Sequence, residues 1–180
     1  MTGTRPGGAS AGAARAGGGQ RVPGTAGADS RWLAEAIGLS RRCPPSATAF
    51  SVGAILVSAD GGVIATGFSR ERDPHDHAEE IALAKAALPG SLPAAGGRRL
   101  AGATLYSSLE PCAARASRPR TCAELIIAAG LRRVVIAWRE PALFVADCQG
   151  YEMLSRAGLT VTELPEFAAD AAAPNRHLTR

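Results

Sequence analysis

Aromatic residues are scarce in this sequence, since Phe, Trp and Tyr together make up 4% of its 180 residues. Proteins that bind single-stranded nucleic acids stack the bases on aromatic side chains, so we expect no such surface here. The chain also lacks an apolar run of about 18 or more residues, the length that a membrane-spanning helix requires. These absences argue against a nucleic-acid-binding protein and against a membrane protein.

Blocks of basic residues are absent as well, although the formal net charge is +4. Of the 20 basic residues, three (Arg5, Arg15 and Arg21) lie in residues 1–28, which contain no acid. The 17 that remain are balanced by 16 acidic residues, so residues 29–180 are nearly neutral. We therefore predict a small-molecule substrate and neither a nucleic-acid nor a membrane partner.

The four cysteines are too few for a disulfide framework in a chain of this size. The first residues also lack the apolar segment of a secretory signal. We therefore expect a cytoplasmic protein whose thiols are reduced and serve metal binding or catalysis.

Composition divides the chain into a tail and one domain. Residues 1–28 are mainly Gly, Ala, Arg and Thr, which bury little apolar surface, and we predict that they are disordered. Residues 29–180 are predicted to form a single domain. Asp29 and Ser30 are expected to cap its first helix, which Cys43 and two prolines end.

Five short segments are predicted strands: 49–58, which is apolar and rich in β-branched residues, and 61–69, 103–109, 132–138 and 159–164. The first two form a hairpin through an Asp-Gly-Gly turn, and the later ones alternate with helices. This order predicts an α/β fold, a three-layer α/β/α sandwich with a five-stranded mixed sheet.

Three potential metal ligands lie at predicted strand ends or helix starts. His77 opens the helix after the hairpin, Cys112 follows the third strand and Pro111, and Cys122 opens the next helix. One imidazole and two thiolates form a three-ligand Zn²⁺ site that leaves the fourth position for water. Each residue alone is a weak signal, but together and in this order they predict a zinc cofactor.

Glu79 lies two residues after His77, so the two side chains share a helix start without pointing in the same direction. A carboxylate there can reach a zinc-bound water, whose pKa zinc lowers to about 7, and can carry its proton to a leaving amine. His-x-Glu with Pro-Cys-x-x-Cys is the signature of zinc deaminases, and this sequence departs from it in having nine residues between the two cysteines. We therefore predict hydrolytic deamination with Glu79 as the catalytic residue.

These residues resemble the cytidine-deaminase superfamily. The nine residues between Cys112 and Cys122, together with "GATLYSSLEPC", "AELIIAAGLRRVVIAWREP" and "GYEMLSRAGLTV", are most similar to the deaminase domain of the bifunctional deaminase/reductase of riboflavin biosynthesis. The resemblance covers about residues 50–164 and implies the cytidine-deaminase-like fold, an aminopyrimidine base, nucleoside or nucleotide as substrate, and a homodimer or homotetramer.

The resemblance also implies a set of residues that border the substrate: Phe50, Ser51, Val52, Gly53, Ala54, Ser69 and Ala78. Ala49 and Phe50 stand where the family has an Asn-Pro pair, and Ser69 stands near a family histidine. The chain also leaves no room for the reductase domain. These departures imply a free-standing deaminase of actinobacterial type that acts on a related but different amino-heterocycle.

The loop between the two cysteines contains Arg115, Ser117 and Arg118, whose side chains could hold a substrate phosphate or carboxylate. The alternative for these arginines is a solvated loop. His75 is interpreted as a surface histidine or a substrate contact, and Glu110 as a brace for the metal loop.

Two other functions stay open at this point. One is a purine-type deaminase that acts on guanine or adenosine. The other is a non-catalytic zinc-binding scaffold with the deaminase fold, in which a fourth protein ligand closes the site. The candidates for that ligand are Cys43, Cys148, His75 and a carboxylate.

Overall fold

The structure is a computed structural model that describes residues 25–88, 100, 102–141 and 149–178. The helices of these residues are α1 (Thr25–Ser40), α2 (Ala78–Ala86), α3 (Cys122–Ala128), α4 (Gly150–Arg156) and α5 (Ala168–Ala172). The strands are β1 (Gly53–Val57), β2 (Val63–Phe68), β3 (Thr104–Ser107), β4 (Arg133–Ile136) and β5 (Thr160–Glu163). No helix in these ranges combines the length and the apolar character that crossing a bilayer requires.

The strands form one mixed sheet in the order β2-β1-β3-β4-β5. β1 is antiparallel to both β2 and β3, whereas β3, β4 and β5 are parallel to one another. Gly61 in the β1–β2 turn has a φ of +86°, which glycine adopts without steric cost. The predicted mixed sheet, with the hairpin first and helical crossovers afterwards, is confirmed.

Helices cover both faces of this sheet because successive strand residues point to opposite sides. Val134 and Ile136 of β4 join the core formed with α2, α3 and α4, whereas Val135 joins the core formed with α1 and α5. All three residues are fully buried. The predicted three-layer α/β/α sandwich is therefore confirmed.

The start of the first helix differs from the prediction. Helix α1 begins at Thr25, so Asp29 lies inside it and is not its N-cap. The Asp29 carboxylate instead accepts a hydrogen bond of 2.9 Å from Tyr106 Oη and a double hydrogen bond from the Arg133 guanidinium. The disorder predicted for the tail stays a prediction, since residues 1–24 lie outside the described residues.

Candidate active site

Strand and helix ends meet at one edge of the sheet. Because β1 and β3 are antiparallel, the end of β3 lies beside the start of β1, and Ser108 and Gly53 exchange two hydrogen bonds of 3.0 and 3.1 Å. His77 is the N-cap of α2, and Cys122 is the first residue of α3. The fold therefore brings His77 and Cys122 to the same edge as Cys112, which follows β3.

His77, Cys112 and Cys122 form the only cluster of three or more potential metal ligands among the described residues. The Nδ1 atom of His77 lies 3.5 Å from the Sγ atom of each cysteine. With Zn–N and Zn–S bonds of about 2.05 and 2.3 Å, tetrahedral geometry separates a nitrogen and a sulfur ligand by about 3.5 Å. The chemistry and the spacing of this donor set therefore fit Zn²⁺.

Among the described residues, no fourth side chain joins this cluster as a potential metal ligand. Of the candidates, the Cys43 thiol instead donates a hydrogen bond of 3.4 Å to the Val52 carbonyl. Cys148 lies outside the described residues. Three protein ligands and an open position are typical of catalytic zinc sites, whereas structural sites use four.

The start of α3 holds the two cysteines together. A capping box fixes it, since Thr121 Oγ1 accepts the Glu124 N–H at 3.3 Å and the Glu124 carboxylate accepts the Thr121 N–H at 2.7 Å. The Cys122 N–H then donates to Cys112 Sγ at 3.5 Å, and the Ala123 N–H donates to the Cys112 carbonyl at 3.2 Å. The Cys122 N–H stabilises negative charge on the Cys112 sulfur, and the Ala123 N–H holds the Cys112 backbone against the start of α3.

Electrostatic coupling favours the anionic form of one thiol. The hydrogen bond from Cys122 lowers the pKa of the Cys112 thiol despite its burial, and the hydrogen bond to His77 lowers it further. The same bond to Cys112, followed by burial, raises the pKa of the Cys122 thiol. Burial lowers the pKa of His77, but contact with the Cys112 thiolate outweighs it, so the net shift is upward. Cys112 is therefore the first thiolate to form, and thiolates are what a metal requires.

Glu79 is 3% exposed and lies in the first turn of α2. Ser107 Oγ donates a hydrogen bond of 2.7 Å to its Oε1 atom. Burial raises the pKa of the Glu79 carboxyl, while His77 and the Ser107 hydrogen bond oppose that shift. Glu79 is therefore a shielded, oriented carboxyl group close to the three potential ligands and outside their cluster.

A cavity of about 480 Å³ opens beside these residues, which is the size of a small-molecule site. Its lining includes His77, Cys112 and Glu79. It also includes six of the eleven residues predicted to border or contact the substrate: Phe50, Val52, Ser69, His75, Arg115 and Ser117. Phe50 packs edge-on against Trp138 with ring centroids 5.8 Å apart, which fixes the orientation of its ring in the wall.

The other predicted substrate contacts do not line this cavity: Ser51, Gly53, Ala54, Ala78 and Arg118. Ser51 lines a second cavity. A side chain at Gly53 would overlap the Ala36 carbonyl, so this position faces α1 and not the first cavity. Ala54 of β1 and Ala78 of α2 are fully buried in the core between the sheet and α2. This placement does not support substrate contacts at these positions.

The arginines between the cysteines form ion pairs. The Arg115 side chain is 3% exposed, pairs with Glu80 at 3.1 Å and donates to the His75 carbonyl at 2.8 Å. Arg118 pairs with Asp73 at 3.2 Å and with Asp76 at 3.4 Å. The alternative of a solvated loop is therefore wrong for Arg115, and both arginines tether the loop to the residues around the start of α2.

Sequence reasoning missed Arg70 and Asp76, which also line the cavity. Arg70 has a left-handed φ of +60°, and its guanidinium donates to the Pro44 and Phe50 carbonyls at 2.9 Å each. The Asp76 carboxylate accepts the Asp73 N–H at 2.8 Å and so fixes the turn before His77. The Asp-Pro-His-Asp segment is a turn signal that could have indicated Asp76, whereas no local pattern marks Arg70.

Glu110 braces the loop that carries Cys112. Its buried carboxylate accepts the Tyr151 N–H at 2.7 Å and the Glu140 N–H at 3.2 Å. The metal loop is therefore tied to the start of α4 and to the segment after β4, as expected for a brace.

The comparison with known families assigns this domain. The model of the "cytidine and deoxycytidylate deaminase zinc-binding region" matches residues 27–138. The chain therefore belongs to the cytidine and deoxycytidylate deaminase family, and the prediction of a zinc-binding deaminase domain is confirmed at this level.

Within the family, the predicted similarity to riboflavin-pathway deaminases is also confirmed. The chain is 37% identical over 139 residues to the diaminohydroxyphosphoribosylamino-pyrimidine deaminase of Schizosaccharomyces pombe, which covers 77% of this chain and 33% of that protein. It is 35% identical over 112 residues to the riboflavin biosynthesis protein RibD of Escherichia coli, covering 62% of this chain and 27% of RibD. The chain thus spans about a third or less of the length of these relatives.

Solved structures show the same relationship. RibD of Acinetobacter baumannii (form 1) superposes with a TM-score of 0.65 and 32% identity over 83% of this chain and 38% of that chain. The Rib2 deaminase of Aspergillus oryzae, as a C-terminal deletion mutant in complex with DARIPP, gives a TM-score of 0.65 and 26% identity over 84% of this chain and 96% of that chain.

Proposed function

We propose that this chain is a zinc-dependent hydrolase that removes an amino group from an aminopyrimidine and releases ammonia. The observation that carries the proposal is the cluster of His77, Cys112 and Cys122, with 3.5 Å between the nitrogen and each sulfur, beside the buried carboxyl of Glu79. Membership of a zinc-binding deaminase family supports the same chemistry.

The roles of the residues follow from their positions. His77, Cys112 and Cys122 would hold zinc, a Lewis acid that would make water nucleophilic near neutral pH. Glu79 would accept a proton from the attacking water and deliver it to the ring nitrogen and the departing amine. One water is consumed, a C–N bond is replaced by a C=O bond, and ammonia leaves.

The cavity supports a heterocyclic substrate with a polar substituent. Phe50 offers a fixed ring for stacking. Arg115 and Ser117 line the cavity. Ser117 could contact a phosphate or carboxylate, and Arg115 could do so only by leaving its ion pair with Glu80. The Rib2 deaminase of A. oryzae forms a complex with DARIPP, and the S. pombe relative is named for a phosphoribosylamino-pyrimidine. A diaminopyrimidine ribosyl phosphate is therefore the first substrate to test.

The decisive test compares wild-type protein with Glu79→Gln and with Glu35→Gln, a control on the exposed side of α1. We expect about one zinc per chain in all three by elemental analysis. Ammonia release from the diaminopyrimidine ribosyl phosphate should be lost only in Glu79→Gln. Cytidine and guanine belong in the same assay, and a preference for guanine would replace the pyrimidine assignment by the purine alternative.

Two results would overturn the proposal. Wild-type protein that binds zinc but releases no ammonia from any of these substrates would indicate the non-catalytic scaffold. Full activity of Glu79→Gln would remove Glu79 from the reaction. We also propose that the protein is cytoplasmic and forms a homodimer or a homotetramer. Light scattering would measure the oligomeric state directly.

A further inference from the structure

One wall of the cavity has little regular secondary structure to hold it. Residues 44–52 precede β1 and are not part of a helix or strand. Six of them line the cavity: Pro45, Ser46, Thr48, Ala49, Phe50 and Val52. The position of this wall segment therefore depends on side chains from elsewhere in the fold.

Asn175 supplies the main support from behind the wall segment. It is 1% exposed, and its Oδ1 atom accepts the Ser51 N–H at 2.7 Å while its Nδ2 atom donates to the Ser51 carbonyl at 3.1 Å. A further hydrogen bond of 3.4 Å to the Ala171 carbonyl holds the amide itself in place. One side chain thus satisfies both backbone groups of Ser51.

Ser51 lies between two residues that line the cavity, Phe50 and Val52. Ser51 itself lines the second cavity and not the substrate cavity. A brace on the backbone of Ser51 therefore sets how far the Phe50 ring and the Val52 side chain project into the substrate site.

Other residues also hold the wall segment: Ser69 Oγ accepts the Val52 N–H at 3.1 Å, and Arg70 and His177 contact the segment from two further directions. Arg70 donates to Ser51 Oγ at 2.8 Å and to the Phe50 carbonyl at 2.9 Å from the cavity side. His177, two residues after Asn175, places its Nε2 atom 2.7 Å from the Ser46 carbonyl oxygen. Because His177 is exposed and Asn175 is buried, Asn175 is the stronger anchor.

We propose that Asn175 is a positioning residue that determines substrate affinity by fixing the wall that carries Phe50 and Val52. This inference rests on the proposed deaminase function. Asn175 touches neither the potential metal ligands nor Glu79, which α2, α3 and the end of β3 hold in place. Its loss should therefore change KM and leave zinc binding and kcat nearly unchanged.

The test replaces Asn175 by Leu, which has a similar size but no hydrogen-bonding group. Asp170→Asn is the control, since Asp170 is an exposed residue of α5 in the same C-terminal segment. With the diaminopyrimidine ribosyl phosphate as substrate, we expect KM to rise about tenfold or more in Asn175→Leu and kcat to stay within about twofold. This is the pattern expected when the ground state and the transition state lose the same binding energy. Zinc content should equal that of wild type.

Hydrogen exchange gives a readout that does not depend on turnover. Amides of residues 50–52 should exchange faster in Asn175→Leu, whereas those of β3 and β4 should not change. If Asn175→Leu does not fold, Asn175→Gln, which keeps the carboxamide on a longer side chain, takes its place with the same expected directions.

Three outcomes overturn the inference: an unchanged KM, unchanged exchange in residues 50–52, or a loss of kcat with unchanged KM. If wild-type protein releases no ammonia, the proposed function fails, and the exchange comparison alone decides whether Asn175 positions the wall segment.

Discussion

Ser107 Oγ donates a hydrogen bond of 2.7 Å to Glu79 Oε1 and so joins the last residue of β3 to the first turn of α2. Ser107 is fully buried, and Glu79 is 3% exposed. Because both side chains are buried, this hydrogen bond from the sheet fixes the orientation of the carboxyl group that we assign to proton transfer.

Replacing Ser107 by Ala should lower kcat about tenfold or more, since a hydrogen bond to a charged group contributes about 1.5–3 kcal/mol and its loss frees the carboxylate to rotate. Zinc content should stay at the wild-type value because Ser107 does not belong to the ligand cluster. Steady-state kinetics and elemental analysis measure the two quantities. Ser155→Ala, on the exposed side of α4, is the matched control, and equal kcat values in both variants would contradict the prediction.

Gly150 is expected to be intolerant of any side chain. A Cβ atom there would overlap the carbonyl oxygen of Pro111, the residue before Cys112. Gly150→Ala should therefore displace the metal loop and reduce zinc content at a fixed zinc concentration. Gly38→Ala is the control, because Gly38 lies in α1 with open space around its Cβ position. Titration with a chromophoric chelator measures the affinity, and equal values for both variants would show that the loop tolerates the shift.

Asp29 should contribute to stability, although it lies far from the proposed chemistry. Its carboxylate accepts hydrogen bonds from Arg133 Nη1 at 2.8 Å and Nη2 at 2.6 Å and another from Tyr106 Oη. Asp29→Asn leaves Arg133 without a counter-charge and should lower the free energy of unfolding by about 3 kcal/mol. This value is at the lower end of the range for a broken buried ion pair, because Arg133 is partly exposed. Urea unfolding measures this value, with Glu35→Gln as the control on the same helix.

The pKa of Tyr106 should make the free energy of unfolding depend on pH in the alkaline range. Burial, assisted by the hydrogen bond to Asp29, raises the pKa of Tyr106 to about 12. In the unfolded chain the phenol titrates near pH 10, so the folded state holds the proton more tightly. This contribution to the free energy of unfolding is full below about pH 10 and is lost as the pH rises toward 12.

Tyr106→Phe should remove this pH dependence. Between about pH 10 and 12 the free energy of unfolding of wild type should fall more steeply than that of Tyr106→Phe, as measured by urea unfolding at a series of pH values. Tyr151→Phe changes a partly exposed tyrosine and should behave like wild type. Parallel curves for wild type and Tyr106→Phe would contradict the prediction.

Local patterns were sufficient to predict much of the fold. The β-branched segments and the Asp-Gly-Gly turn predict the hairpin, and the strand formed around Val134 and Val135 is buried on both faces as its apolar run indicates. Asp29 shows the limit of this reasoning. An acidic residue before an apolar-periodic segment is a common N-cap signal, but α1 begins four residues earlier. The Asp29 carboxylate instead binds Tyr106 and Arg133, which lie 77 and 104 residues away along the chain.

The sequence by itself determined the chemistry of the site, because the identities of His77, Glu79, Cys112 and Cys122 and their places at element ends are local properties. Only the tertiary structure decided which other residues line the substrate cavity. Phe50 and Val52 line it, Ser51 lines a second cavity, and Arg115 is paired with Glu80. The contact between Asn175 and Ser51 spans 124 residues. The packing of the whole domain creates such pairs, and no local pattern encodes them.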